Sequence, residues 1–169
     1  MRNFVYLKKF FKSIIILTLS VLLFISFGLI SDKKNVLANV KNNKQNVEVF
    51  KTPSCGCCYG YVLFLEKEQF NVKETDMRSL HLIKKKYNIP LEMQSCHTTI
   101  IGKYFIEGHV PASDIKKLLD ESPDIAGLTV PGMPAGINVP GMETINERAK
   151  FDVLAVNNDG STFVWKQYE

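Results

Sequence analysis

The sequence predicts a single α/β domain carried behind an apolar leader. Three observations lead there. Strand-type alternation and helical apolar stripes follow one another in the order β-α-β-α-β-β-α. A cysteine-rich turn, Cys55-Gly56-Cys57-Cys58, joins the first strand to the first helix. The chain of 169 residues is long enough for one packed core and too short for two plus a leader.

Residues 1–38 read as a signal peptide or N-terminal membrane anchor. Arg2, Lys8, Lys9 and Lys12 precede Ser13 to Ile30, a stretch without a charge. As a helix that stretch would reach roughly 27 Å, near the hydrocarbon thickness of a bilayer. Positive charge on its N-terminal flank directs the remainder of the chain out of the cytoplasm. Val36-Leu37-Ala38 offers residues of the size a signal peptidase reads, and no cysteine lies there to suggest a lipoprotein. Cleaved or retained, the leader makes the rest of the chain periplasmic or otherwise extracytoplasmic, touching a membrane only through this segment. The overall charge of +4 also belongs to it: the first 38 residues hold six basic residues and one acidic residue, leaving 15 basic against 16 acidic. A basic footprint for nucleic acid is absent.

Residues 39–46 are Asn- and Lys-rich and read as a polar tether to the domain at 47–169. Val47 to Phe50 alternates as a short strand. Thr52 to Gly56 forms a turn, and Tyr59 to Phe70 continues as a helix with Cys58, Val62 and Leu65 on one face. Phe70 to Lys73 starts a second strand. Ser79 can cap a short helix that turns Leu80, Ile83 and Tyr87 inward and ends at Asn88 and Pro90. Thr98 to Ile101 and Tyr104 to Glu107 flank Gly102-Lys103 as a tight hairpin. Beyond Pro111 a helix carries Asp114 in its first turn and faces Ile115, Leu118 and Leu119 to the core. Residues 122–150 read as a long Pro/Gly loop, of the length that is usually functional. Phe151 to Val156 and Thr162 to Tyr168 close the chain as a C-terminal β-hairpin around Asn157 to Gly160. With a Cys-x-x-Cys where the first strand meets the first helix, this order is that of the thioredoxin-like fold.

All four cysteines, Cys55, Cys57, Cys58 and Cys96, lie in the exported part, where thiols oxidise unless something occupies them. The helix amino end stabilises thiolate through free N–H groups and the macrodipole. The spacing puts Cys55 and Cys58 on one side of the turn and Cys57 elsewhere, with Gly56 supplying the tight backbone that lets them converge. In thioredoxin-like domains the residue before the third strand lies against the Cys-x-x-Cys turn, and here that place falls to Cys96-His97. A fourth sulfur and an imidazole would then face the first three. Thiolates with an imidazole suit Cu(I) or Zn(II) rather than a hard cation. Met133 and Met142, on the long loop, offer thioethers to a soft ion.

Four motifs together resemble one family: Cys55-Gly56-Cys57-Cys58, Ser95-Cys96-His97-Thr98, Glu107-Gly108-His109-Val110-Pro111 and Val130-Pro131-Gly132-Met133-Pro134. They are similar to those of the CopG-type periplasmic copper-resistance, metal-binding proteins, over about residues 47–168. The resemblance implies copper, Cu(I) in the first place and more than one ion within reach, with zinc as the alternative cargo. It implies copper-export or copper-chaperone proteins as partners. The pattern departs from the family in Pro134 to Glu143, where Ile137 and Asn138 are inserted.

Other uses of the cysteines compete. Cys55 and Cys58 have the spacing of a redox pair, so an oxidoreductase that exchanges disulfides or cycles copper stands beside the binding protein. Two structural disulfides fit poorly with three cysteines in four residues, and an iron–sulfur cluster fits poorly with export. His109 reads as structural or as a support to the site rather than a ligand, His81 and the Lys84-Lys85-Lys86 run as solvated, and Met93 and Trp165 as packing residues.

Overall fold

The computed structural model describes residues 44–169. The leader at 1–38 and all but the end of the tether lie outside the described residues. Among the described residues no helix is long and apolar enough to cross a membrane.

Among the described residues, seven strands form one mixed sheet in the order β2-β1-β3-β4-β5-β6-β7, accompanied by three α-helices. β1 (Asn46–Lys51) alternates so that Val47 and Val49 are buried. It enters α1 (Gly56–Lys67) through a turn closed by the Cys55 amide donating to the Thr52 carbonyl at 3.1 Å. Cys58, Tyr61, Val62 and Leu65 make the buried stripe of that helix, as the 3.6-residue period predicts. β2 (Asn71–Asp76) returns parallel to β1 and forms one margin of the sheet. α2 (His81–Lys86) begins where Ser79 Oγ accepts the His81 amide at 3.3 Å. A 3₁₀ turn at Leu91–Met93 leads to the hairpin of β3 (Thr98–Ile101) and β4 (Tyr104–Glu107). Its tight turn places Gly102 at φ +57°, the left-handed region that favours glycine. α3 (Ala112–Glu121) buries Ile115 and Leu118 and follows.

The segment expected to be one long loop, residues 122–150, is not strandless: β5 (Gly127–Thr129) pairs parallel with β4 and antiparallel with β6 (Phe151–Val156). Three residues carry too little periodicity to announce a strand, so only its burial between two longer neighbours defines it. β6 and β7 (Thr162–Tyr168) make the terminal hairpin, with β7 the other margin of the sheet and Phe163 and Val164 about half exposed on it.

Both faces of the sheet are packed. Consecutive residues on a strand point to opposite faces, and Ile106 joins the main core of Val49, Tyr61, Leu65, Ile115 and Leu128. Phe105 joins a smaller one with Ile89 and Val156. Met93 packs against that smaller cluster, and Trp165 lies against the main one. Gly127 is where β5 meets β4: a methyl there would run into the Phe105 carbonyl oxygen and ring. Gly127→Ala is therefore expected to destabilise the domain by about 1–3 kcal/mol or more through overpacking. Chemical denaturation of the pair of proteins measures it, and an unchanged midpoint would contradict the β4–β5 pairing.

Candidate metal centre

Two strand-to-neighbour junctions meet at one place. The β1–α1 turn carries Cys55, Cys57 and Cys58, and the approach to β3 carries Cys96 and His97. Cys55 and Cys58 are joined as a disulfide with their Cα atoms 5.3 Å apart. Cys57 and Cys96 are free thiols. Cys57 Sγ lies 3.5 Å from Cys55 Sγ and 3.8 Å from Cys96 Sγ. Cys57 thus points to Cys96 while Cys55 and Cys58 pair with each other: at the first helical residues the side chains fan around the turn, and Cys96 comes in on the side Cys57 occupies. All four sulfurs lie within 4.8 Å of one another. Gly56 does not do what its position suggested. Its φ is outside the left-handed region and an added methyl would meet nothing within 4 Å, so the convergence needs no glycine there.

The histidines also depart from expectation. His97 Nδ1 is 3.3 Å from Cys96 Sγ. His109, read from sequence as a supporting residue, brings Nε2 to 3.4 Å from the same sulfur. The ligand atoms of Cys96, His97 and His109 also fall within 4.8 Å of one another. The cause is the hairpin register. Thr98 pairs with Glu107, and the Gly108 amide donates to the His97 carbonyl at 3.1 Å, so the residues just before β3 and just after β4 are neighbours. That register follows from the tight Gly102-Lys103 turn and was available as a signal for His109.

Both imidazoles are fully buried, packed on Tyr61, whose ring centroid is 4.5 Å from that of His97. Burial pulls the His97 pKa well below its usual value, with His109 and Lys84 adding to the effect. Burial lowers that of His109 as well, against a hydrogen bond to the Pro140 carbonyl. Both rings are therefore neutral near pH 7. His97 Nε2 is buried with no hydrogen-bond partner, a polar atom left unanswered by the protein. Burial, then the neighbouring Cys57, pushes the Cys96 thiol up to about 12.

Beneath Cys96 lies a buried ion pair whose lysine, by its place in a charged run, was expected in solvent. Lys84 is buried, and its ammonium pairs with Glu107 while donating to the Ser95 carbonyl at 3.0 Å and to Thr98 Oγ1 at 3.2 Å. Glu107 accepts the Ser95 amide at 2.6 Å and the Thr98 hydroxyl at 2.7 Å. Lys85 and Lys86 remain exposed, as does His81. Lys84 differs because its ammonium reaches the Ser95 carbonyl, the Thr98 hydroxyl and the Glu107 carboxylate.

The methionines sit on the loop beside the site. Ser95 Oγ donates to the Gly132 carbonyl at 2.6 Å, which fixes the turn before Met133, yet Met133 itself is 62% exposed. Met142 is half-buried, one residue past Gly141, which packs on Gly60.

Sulfur and imidazole donors gathered into two groups that share Cys96, each within 4.8 Å, are a chemical fit for a soft or borderline ion. Using all four sulfurs would require two electrons and two protons to open the Cys55–Cys58 bond.

An α/β domain with a closed knot of soft donors between a cysteine turn and a β-hairpin is the class that fold and site define. Residues 93–142 match a family described as "Protein of unknown function, DUF411". A solved structure described as "Copper resistance protein copG- Form 2" is 35% identical, with a TM-score of 0.71 over 75% of this chain and 100% of that one. A second, "Copper resistance protein copG- Form 1", is 36% identical, with a TM-score of 0.69 over 75% and 98%. No curated protein sequence matches. The chain belongs to the CopG-type copper-resistance family.

The buried charges and rings of the metal-free domain set its stability. Each buried histidine has a folded-state pKa below its unfolded value of about 6.5, so the unfolded chain binds more protons in acid. Stability contributed by neutral burial is complete above that value and falls as pH drops below it. Denaturant titrations from pH 8 to pH 5 are expected to show the loss, and His97→Asn to reduce it. Lys84→Met strands the Glu107 carboxylate and is expected to cost about 3–5 kcal/mol, while Lys85→Met should cost under about 0.5 kcal/mol.

Proposed function

We propose that the protein is an extracytoplasmic copper-binding protein that sequesters or transfers Cu(I), with Cys55, Cys57, Cys58, Cys96 and His97 as ligands and His109 beside them. The observation that carries this reading is the meeting of four sulfurs and two neutral imidazoles within bonding reach of common centres. The similarity to copper-resistance proteins supports copper over zinc as cargo. Five or six donors exceed what one Cu(I) needs, so bridging thiolates serve more than one ion. Met133 and Met142 are the thioethers nearest along the loop for ions entering or leaving. Copper-export or copper-chaperone proteins are the partners such cargo calls for.

We read the domain as thioredoxin-like: parallel β1 and β2 joined by α1, then the β3–β4 hairpin and α3. Residues 1–38 serve as its export signal or anchor.

The disulfide favours a second reading. A substrate thiolate attacking one sulfur of Cys55–Cys58 would form a mixed disulfide and release the other as thiolate, the first half of a two-electron exchange. Reduction of insulin separates the two. If Cys57→Ser and Cys96→Ser retain full exchange activity, the metal reading loses its support.

Anaerobic reconstitution of the reduced protein is expected to leave copper bound after desalting against a mild chelator, and a copper-free product would end the copper reading. Cys96→Ser is expected to weaken Cu(I) binding more than about 100-fold, beyond the effect of losing an outer partner. A thiol pushed up to about 12 holds its proton at neutrality, so metal must displace it. Apparent affinity should therefore rise about tenfold per pH unit for each proton displaced between pH 6 and 8. Competition titrations at several pH values measure the slope.

A further inference from the structure

We propose that the segment from Gly136 to Ala149 is a rigid strut that sets the tautomer of His109 and so aims its Nε2 lone pair into the donor cluster; this deepens the copper-binding reading and rests on it.

One hydrogen bond is decisive. His109 Nδ1 lies 2.7 Å from the Pro140 carbonyl oxygen, and both residues are buried. A carbonyl oxygen only accepts, so Nδ1 must carry the proton. In a neutral imidazole the other nitrogen then has a free lone pair. That nitrogen, Nε2, is the one 3.4 Å from Cys96 Sγ. A peptide carbonyl behind a ligating histidine is the kind of outer partner that fixes ring orientation and raises basicity. Being backbone, it is placed only by the path of its loop.

That path is pinned at three points. Gly141, at φ +72°, lies against the backbone of α1: a methyl on it would stand 2.5 Å from the Tyr61 nitrogen, and one on Gly60 would stand 3.0 Å from the Gly141 carbonyl oxygen. Asn138 clasps the far arm, its Nδ2 donating to the Ala149 carbonyl at 2.9 Å and its Oδ1 accepting the Ala149 amide at 2.8 Å. Gly136 fits against Glu147 and Ala149 so closely that a methyl would meet the Glu147 carbonyl oxygen at 2.6 Å. Between the pins the Gly136 and Met142 amides donate to the Met142 and Val139 carbonyls, each at 3.0 Å. Asn138 thereby holds a carbonyl steady without touching the site.

The test uses the full-length protein labelled with ¹⁵N-histidine, metal-free and reduced, with Gly141→Ala and Asn138→Ala beside the wild type. Ring ¹⁵N shifts report which nitrogen of His109 is protonated, a readout that loss of stability alone does not move. The wild type is expected to show the Nδ1–H form. Both variants should shift His109 toward a mixture of tautomers and weaken Cu(I) binding about tenfold to 100-fold, Gly141→Ala more than Asn138→Ala. If Gly141→Ala does not fold, Asn138→Ala alone decides. An Nε2–H tautomer in the wild type overturns the proposal, as do variants that keep the wild-type tautomer. A wild type with the expected tautomer, lost in the variants, that takes up no Cu(I) upholds the strut and removes the copper reading instead.

Discussion

The Glu107 carboxylate is the point from which the site is built. Fully buried, it draws in the Lys84 ammonium, the Ser95 amide and the Thr98 hydroxyl, three donors from three segments. A charge in that position is tolerable only because these donors satisfy it, and loss of one would leave the others around an unpaired ion. The energy that holds Lys84 down on the strand approach also fixes Ser95, and Ser95 in turn fixes the chain immediately before Cys96. A polar knot under the donors thus does what apolar packing cannot. It fixes direction as well as proximity.

Above that knot the donors are held by ordinary fold physics. The β1–α1 turn can place three cysteines in four residues only because a strand must give way to a helix there. The β3–β4 hairpin brings the residues before and after it to the same edge. Burial then keeps both imidazoles neutral and the Cys96 proton in place. On the copper-binding reading proposed above, a monovalent cation that replaces the Cys96 proton leaves the net charge there unchanged, which suits a low-dielectric interior.

Much of this was legible in the residues. The hairpin at Gly102-Lys103 and the terminal hairpin appear with the ends read from alternation and turn residues, because period-two patterns and a glycine turn are local signals. The pairing of Cys96-His97 with the cysteine turn was legible only through fold geometry. What escaped was tertiary. Lys84 sits in a run of three lysines that any local reading places in water; its burial depends on Glu107, 23 positions away. β5 is too short to have a period. His109 was open to inference from the hairpin register, yet a histidine between Gly and Val reads as structural when each residue is weighed alone.

The two margins of the sheet differ in a way that bears on how the molecules behave at high concentration. Along β2 the charged residues Lys73, Glu74 and Asp76 are tied to Glu48 and Lys51 of the next strand. Such an edge repels a second backbone. β7 carries a single charge, Lys166, and leaves Phe163 and Val164 half in water. Whatever tendency this domain has toward ordered self-association is therefore one-sided, concentrated at the C-terminal strand and remote in sequence from the cysteines.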